Sequence, residues 1–260
     1  MVHTLNMVHL RVVADDRRER AREEKRQRYL AAAMRILERE GLAGITMQAL
    51  ADELDCAVGT VYTYFPSKAA LVAALQQRAI DALYASYRTG REAWDDVLAA
   101  DDLEPGLAVL VQLVAFGGFF AAASVVLADE FTLQRGLLTE RPVASSREEV
   151  RRAMPVLLRL LEVPRGLLDE ATALGVLEPG DQLERALRWV AALDGVLLLD
   201  ALAPIDRHLF RAQHHARCLT GDLLVGWGAD RADVETAGSH VDRLAALGPL
   251  APPPSGPGWD

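Results

Sequence analysis

The stretch from Thr46 to Lys68, TMQALADELDCAVGTVYTYFPSK, constrains this chain more than any other. Thr46 is a good helix N-cap, and Met47, Leu50, Ala51 and Leu54 fall on one apolar stripe at helical spacing. Asp55-Cys56-Ala57 forms the turn, and Pro66 stops a second short helix that begins near Ala57. In that helix Val61 and Phe65, four residues apart, face the core. Thr60, Tyr62, Thr63 and Tyr64 then point elsewhere. A helix of about two turns with that many hydrogen-bonding side chains outward has what a major-groove reader needs.

To either side the pattern stays helical. A first helix is expected from about Arg17 to Glu40, with Leu30, Ala33, Met34 and Leu37 inward and Gly41 as its C′ residue. Residues 1 to about 16 are expected to be an unstructured lead. Ser67 caps a further helix carrying Leu71, Leu75, Ala79 and Leu83, which Thr89 and Gly90 are expected to break. Beyond it, helices are expected at about 91–100, 105–128, 146–161, 164–175, 179–202, 204–227 and 230–247, punctuated by Gly and Pro. Alternating runs of β-branched residues are absent, and 51% hydrophobic with only 6% aromatic residues favours helix over sheet. The fold class is therefore all-α. A three-helix helix-turn-helix domain over 17–66 precedes a larger helical domain over 67–248. The segment Ala251–Asp260, APPPSGPGWD, cannot pack helically, so a disordered tail is expected over 249–260.

The ordered run of motifs resembles the DNA-binding domain of the TetR family of transcriptional regulators. The likeness extends from about Gln27 to Leu75. It comprises RYLAAAMRILEREG, the T-x-x-x-L-A-x-x-L helix, V-G-T-V-Y-T-Y-F and P-S-K-A-A-L, about a fifth of the chain. The remainder is similar to the family only in length and helical character. The resemblance implies a homodimer that binds a palindromic or near-palindromic stretch of double-stranded DNA, as a repressor, and that a small effector releases. It implies phosphate contact at Thr46, Tyr62 and Lys68, and base contact at Val58, Gly59, Thr60, Thr63 and Tyr64. Thr63 and Tyr64 stand where an aromatic and a histidine are common in the family, so no operator sequence carries over. It also implies a dimer contact through the last two long helices in a four-helix bundle, here about 179–202 and 204–227, followed by effector control through the helix after Pro66.

The residues support those roles in their own right. The phenols of Tyr62 and Tyr64 can bond phosphates, Thr63 is short enough to meet a base edge or a thymine methyl, and Val58 could pack on such a methyl. Thr46 and Lys68 each stand at a helix start, where N–H groups and the helix dipole favour a phosphate. Gly59 should cost about 1 kcal/mol relative to Ala inside a helix. Close approach to DNA or a tight helix crossing within the domain would each explain it. The net charge of −9 hides two regions. Residues 1–90 hold 13 Lys/Arg against 11 Asp/Glu, and the rest hold 15 against 26. Arg17, Arg18, Arg20, Arg22, Lys25, Arg26 and Arg28 form a basic run interleaved with Asp15, Asp16, Glu19, Glu23 and Glu24. It is either a DNA-reaching arm or a solvated helix start.

In the second domain Phe116, Phe119 and Phe120 cluster, and Gly117-Gly118 with Ala121–Ala123 remove volume beside them. A ligand pocket formed by Trp94, Phe116, Phe120 and Phe131 is expected, with little charge and hence an apolar effector. Asp194 and Asp200, on a helix otherwise apolar, could be pocket acids or interface groups. Leu107–Leu127 is long enough to span a bilayer but lacks flanking basic or aromatic anchors, so it is read as a buried helix and no membrane partner is expected. Met1–Val13 lacks the apolar core of a signal peptide, and Cys56 and Cys218 have no metal or disulfide spacing. A cytoplasmic protein is expected. His208, His214 and His215 lack the i, i+4 pairing of a metal site, and no catalytic constellation occurs, so neither cofactor nor enzymatic activity is expected. The competing readings are a helical DNA-binding dimer without an effector and a helical lipid-binding module.

Overall fold

The structure, a computed structural model, describes residues 2–139 and 147–253, with side chains over 17–99, 101–136 and 154–253. Among the described residues the regular elements are all helices, as the composition and periodicity require. They are α1 (Val2–Gly44), α2 (Met47–Glu53), α3 (Val58–Tyr64), α4 (Lys68–Leu98), α5 (Pro105–Val126), α6 (Ala128–Thr139), α7 (Arg147–Leu160), α8 (Glu162–Ala173), α9 (Gln182–Leu197), α10 (Ala212–Gly226) and α11 (Arg231–Leu247). The chain divides into two compact units, the first ending at Leu75 and the second beginning at Gln76, so the division falls within α4.

In the first unit Leu30, Ala33, Met34 and Leu37 of α1 are buried, as are Met47, Leu50, Ala51, Val61, Phe65, Leu71 and Leu75. Arg35 and Arg39 both reach Glu53, at 3.1 and 2.8 Å, and pin α1 to the end of α2. These two guanidinium groups hold the Glu53 carboxyl below its ordinary range. Gly41 interrupts α1 with φ 70°, a left-handed value that glycine accepts without steric cost. At its other end α1 corrects the expectation of an unstructured lead, because its backbone is helical from Val2. Neither Gly nor Pro occurs before Gly41, so nothing in the chain stops the helix from propagating.

The second unit is built around α5. That helix is long and apolar enough to cross a membrane, yet α6, α8, α9, α10 and α11 all pack on it. Its glycines explain how closely they do so. A Cβ on Gly117 would stand 2.4 Å from Thr220 Oγ1 of α10, and one on Gly118 would stand 2.8 Å from Leu250 Cδ1. The volume those glycines remove is thus filled by neighbours and does not open a cavity, contrary to the sequence expectation.

Three boundaries also differ from expectation. Gly90 does not break α4, which runs on to Leu98 and absorbs the helix expected at 91–100. Gly90 is there because a Cβ would stand 3.0 Å from Leu250 O and 3.3 Å from Pro252 Cδ. A separate α6 follows α5 where no helix was expected. Finally, α10 starts at Ala212 rather than near 204. After α9 the chain makes a 3-10 turn over Leu198–Leu202, and Asp206 Oδ1 then accepts the N–H groups of His208 and Leu209. Asp200 Oδ1 accepts the N–H of Ala212 at 3.3 Å, which makes it a helix-start group.

The tail expected over 249–260 begins as a packed strap. Ala251 is buried, Leu250 lies against the core of the second unit, and Ser86 Oγ of α4 donates to the carbonyl of Pro252. Residues 254–260 lie outside the described residues.

Candidate functional site

Thr46 caps α2 through its side chain, Oγ1 accepting from the N–H of Ala49 at 3.0 Å. Asp55 sits in the turn with φ 49°, and the Cys56 N–H returns to Ala51 O at 3.0 Å. These bonds set the angle at which α3 leaves α2. Burial of Val61 and Phe65 then fixes the rotation of α3 about its own axis. Gly59, Thr60, Tyr62 and Thr63 are exposed as a result, with Val58 and Tyr64 half-buried beside them. Lys68 is exposed at the first position of α4, whose start is capped by Ser67 Oγ accepting from Ala70 N at 3.1 Å. The eight residues expected to touch DNA therefore lie on α3 and at the N-termini of α2 and α4. Six of them are exposed, and none is wholly buried.

Two of them carry extra information. Nothing lies within 4 Å of a Cβ built on Gly59. A tight helix crossing therefore does not explain this glycine. Thr63 Oγ1 donates to Gly59 O at 3.2 Å, which leaves its oxygen lone pairs and methyl facing outward.

Tyr64 is held from behind. Its ring stacks on Tyr29 of α1 with centroids 4.9 Å apart, and Tyr29 in turn meets Phe65 edge-on at 6.4 Å. Burial, with a contact from the Tyr29 hydroxyl to Cys56 Sγ at 3.8 Å, pushes the Tyr29 phenol up to about 12. Around this stack lies a recess of about 130 Å³ lined by Lys25, Arg28, Tyr29, Leu54, Thr60 and Tyr64. Lys25 and Arg28, undecided within the basic run of the sequence, thus stand at the edge of the recognition helix.

A second feature lies in the other unit. Ile80, Leu83, Tyr84 and Tyr87 of α4, Phe116, Phe119 and Phe120 of α5, Phe131 of α6, Leu160 of α7 and Val163 of α8 line a partly open apolar cavity of about 30 Å³. Phe120 meets Phe131 edge-on at 4.7 Å, and Phe116 meets Tyr87 at 5.7 Å. Three of the four expected pocket residues are brought together here. The fourth, Trp94, does not line the cavity and instead meets the Tyr87 ring edge-on from farther along α4, at 5.8 Å. Sequence reasoning missed Tyr84 and Tyr87. The signal for them was their spacing with Ile80 and Leu83 on one face of α4.

The Tyr84 hydroxyl donates to Arg159 O and accepts from the N–H of Val163 at 3.2 Å. The Tyr87 hydroxyl is buried without a hydrogen bond of good geometry. Burial pushes both phenols up to about 12. Asp194 faces a different cluster, where Gln134 Nε2 donates to its Oδ2 at 3.0 Å and Arg135 stands 3.7 Å from its Oδ1. Burial raises its carboxyl above the usual range. Among the described residues no group of His, Cys, Asp and Glu could hold a metal ion.

Comparison with known proteins places these features. The sequence model for the family described as bacterial regulatory proteins, tetR family, matches residues 30–75. The HTH-type transcriptional repressor KstR of Mycobacterium tuberculosis is 48% identical over 52 residues, which are 20% of this chain and 24% of that protein. The chain thus spans only about a quarter of the length of the curated relatives it matches. Two solved structures share the whole fold. RolR in complex with resorcinol aligns with a TM-score of 0.52 at 20% identity, over 85% of this chain and 96% of that one. TylP, a TetR regulator from Streptomyces fradiae, aligns with a TM-score of 0.50 at 18% identity, over 92% and 97%.

Proposed function

Since this chain carries the DNA-binding domain of the tetR family of bacterial regulatory proteins, we propose that it is an effector-responsive transcriptional repressor that binds a palindromic operator as a homodimer. The observation that carries the reading is the exposed face of α3. A short helix presents Gly59, Thr60, Tyr62 and Thr63 outward, with the helix starts at Thr46 and Lys68 beside it in the chain. Helix-start N–H groups and a lysine hold phosphates while the short side chains of α3 meet base edges. Selection from a random DNA pool tests this directly. The reading expects one palindromic sequence to be enriched and its binding to weaken steeply with salt. Enrichment of no sequence at low salt would defeat it. A regulator of this kind works in the cytoplasm, on the chromosome.

The dimer contact is proposed on α9 and the 3-10 turn that follows it. Leu183, Leu187, Ala191, Gly195, Leu198 and Leu202 follow at spacings of three and four and are all exposed, Leu198 by 54%. Ile205 and Leu209 extend this face with 76% and 59% exposure. An apolar stripe of that length fits a second copy of the same chain, placed about a two-fold axis. Leu219 and Leu223 of α10 fit less well, because both pack against the core of their own unit.

The effector site is proposed at the aromatic cavity, and an apolar, aromatic-sized molecule suits its lining. At about 30 Å³ the cavity holds little more than a water molecule, whereas ligand pockets run from about 300 Å³ upward. Binding therefore requires the lining helices to give way. One of them is α4, the helix that begins at Lys68. A ligand that prefers the displaced arrangement by 10²-fold supplies about 2.7 kcal/mol against DNA binding. Release of operator by such a molecule, with Phe120→Ala changing its affinity, is the supporting result.

A further inference from the structure

We propose that one face of α1, carrying Arg18, Arg22, Lys25 and Arg28, is a second DNA-contact surface that follows the phosphate backbone beside the groove read by α3. The proposal rests on the reading of α3 as a DNA reader and enlarges the footprint that reading implies.

In sequence the acids of this region are interleaved with its bases. The helix sorts them. Arg18, Arg22, Lys25 and Arg28 succeed one another at spacings of four, three and three, so they fall on one face. All four are exposed. Glu23 and Glu24 lie to other sides. Glu23 holds Arg26 at 3.5 Å and accepts from Gln27 Nε2 at 2.6 Å, while Glu24 borders a surface shared with Arg17 and Arg20. Glu19, three residues before Arg22, borders the face. Among the described residues Arg22, Lys25 and Arg28 form no ion pair with a carboxylate.

The direction of that face is fixed by its lower end. Lys25 and Arg28 line the recess that also holds Thr60 and Tyr64 of α3, and the Tyr29–Tyr64 stack locks the two helices together. The basic face is therefore continuous with the edge of the recognition helix. From Arg28 it climbs ten residues to Arg18, about 15 Å at the rise of an α-helix. A row of cations of that length beside a groove-reading helix complements the phosphate backbone of duplex DNA, which carries no sequence information.

The test uses the operator selected with the unaltered full-length protein, in binding titrations across a salt series. Arg18→Ala with Arg22→Ala keeps strong helix formers at both positions. The double variant is expected to bind every sequence at least tenfold more weakly near 100 mM salt, with an unchanged base preference. Its salt slope should fall by about 0.9 for each phosphate that is no longer neutralised, hence by about two per subunit. Arg18→Lys with Arg22→Lys keeps the charges and is expected to keep the slope. An unaltered slope and affinity in the alanine variant would overturn the proposal, as would loss of slope in the lysine variant. If the unaltered protein enriches no DNA at all, it is the reading of α3 that has failed.

Discussion

Replacing Gly59 by Ala should separate what this residue does for the fold from what it does for binding. In the free protein the added methyl meets nothing within 4 Å, and Gly59 lies inside α3. The substitution therefore removes backbone freedom from the unfolded chain at no steric cost, which is worth about 0.5–1 kcal/mol in favour of the fold. On the proposed reading of α3 the same methyl stands where the helix backbone comes nearest the duplex. Overpacking typically costs about 1–3 kcal/mol. A symmetric dimer carries the methyl twice, so a loss of at least about 2 kcal/mol, or roughly thirtyfold in affinity, is expected. The assays are amide hydrogen exchange in residues 28–64 and titration of the operator. Exchange should slow by about two- to fivefold in the variant while binding weakens. Faster exchange would mean that a neighbour does fill the space beside Gly59. Slower exchange with undiminished binding would mean that the backbone of α3 does not approach DNA there.

Other outcomes follow from the same geometry. Gly117→Ala gains helix propensity but drives a methyl onto Thr220, which accepts a buried hydrogen bond from Trp189 Nε1 at 3.1 Å; denaturant titration should show a net loss of about 1–3 kcal/mol, and a stabilised variant would refute the close α5–α10 contact. Lys68→Ala should weaken all DNA sequences alike and lower the salt slope by about one, whereas Thr63→Ala should shift preference at one base step by about 1–3 kcal/mol; identical selection profiles would remove Thr63 from the reading set. Leu187→Glu with Leu198→Glu places charges on the exposed apolar stripe of α9 and should give a helical monomer in sedimentation that no longer binds operator, whereas a persistent dimer would move the interface elsewhere. Phe120→Ala should cost about 3–5 kcal/mol of stability and enlarge the aromatic cavity, so that small aromatic compounds raise its melting temperature more than that of the unaltered protein; equal shifts would place the ligand in another site.

The recognition unit was legible in the sequence because its determinants are local. A cap at Thr46, a turn at Asp55 and two core residues four apart in α3 settle the geometry within about twenty residues, and the chain reads in the order in which it folds. The second unit was legible only as helices. Gly90 looked like a helix end because its reason, the close passage of Leu250 and Pro252, lies some 160 residues away. Gly117 and Gly118 suggested empty space for the same reason, since Thr220 and Leu250 occupy it. Tyr84 and Tyr87 were hidden by distance as well, because only the folded chain brings α4 against Phe116, Phe120 and Phe131. Arg22, Lys25 and Arg28 of α1 separate from Glu23 and Glu24 only when the sequence is wound on a helix.

The strap at Leu250–Pro252 has a consequence for the order of events on the ribosome. The buried residues of the first unit, Tyr29 to Leu75, are close together in the sequence, so that core can close while most of the chain is still unmade. The second cannot. Ser86, Gly90 and Gly118 await a segment synthesised well over a hundred residues later, and until it arrives the α4–α5 seam stays open to water. At roughly 5–20 residues per second the seam between those helices is exposed for about 7–30 s in every round of synthesis. During that interval a finished first unit is tethered to an unfinished second one, whose apolar α5 is exposed on the nascent chain.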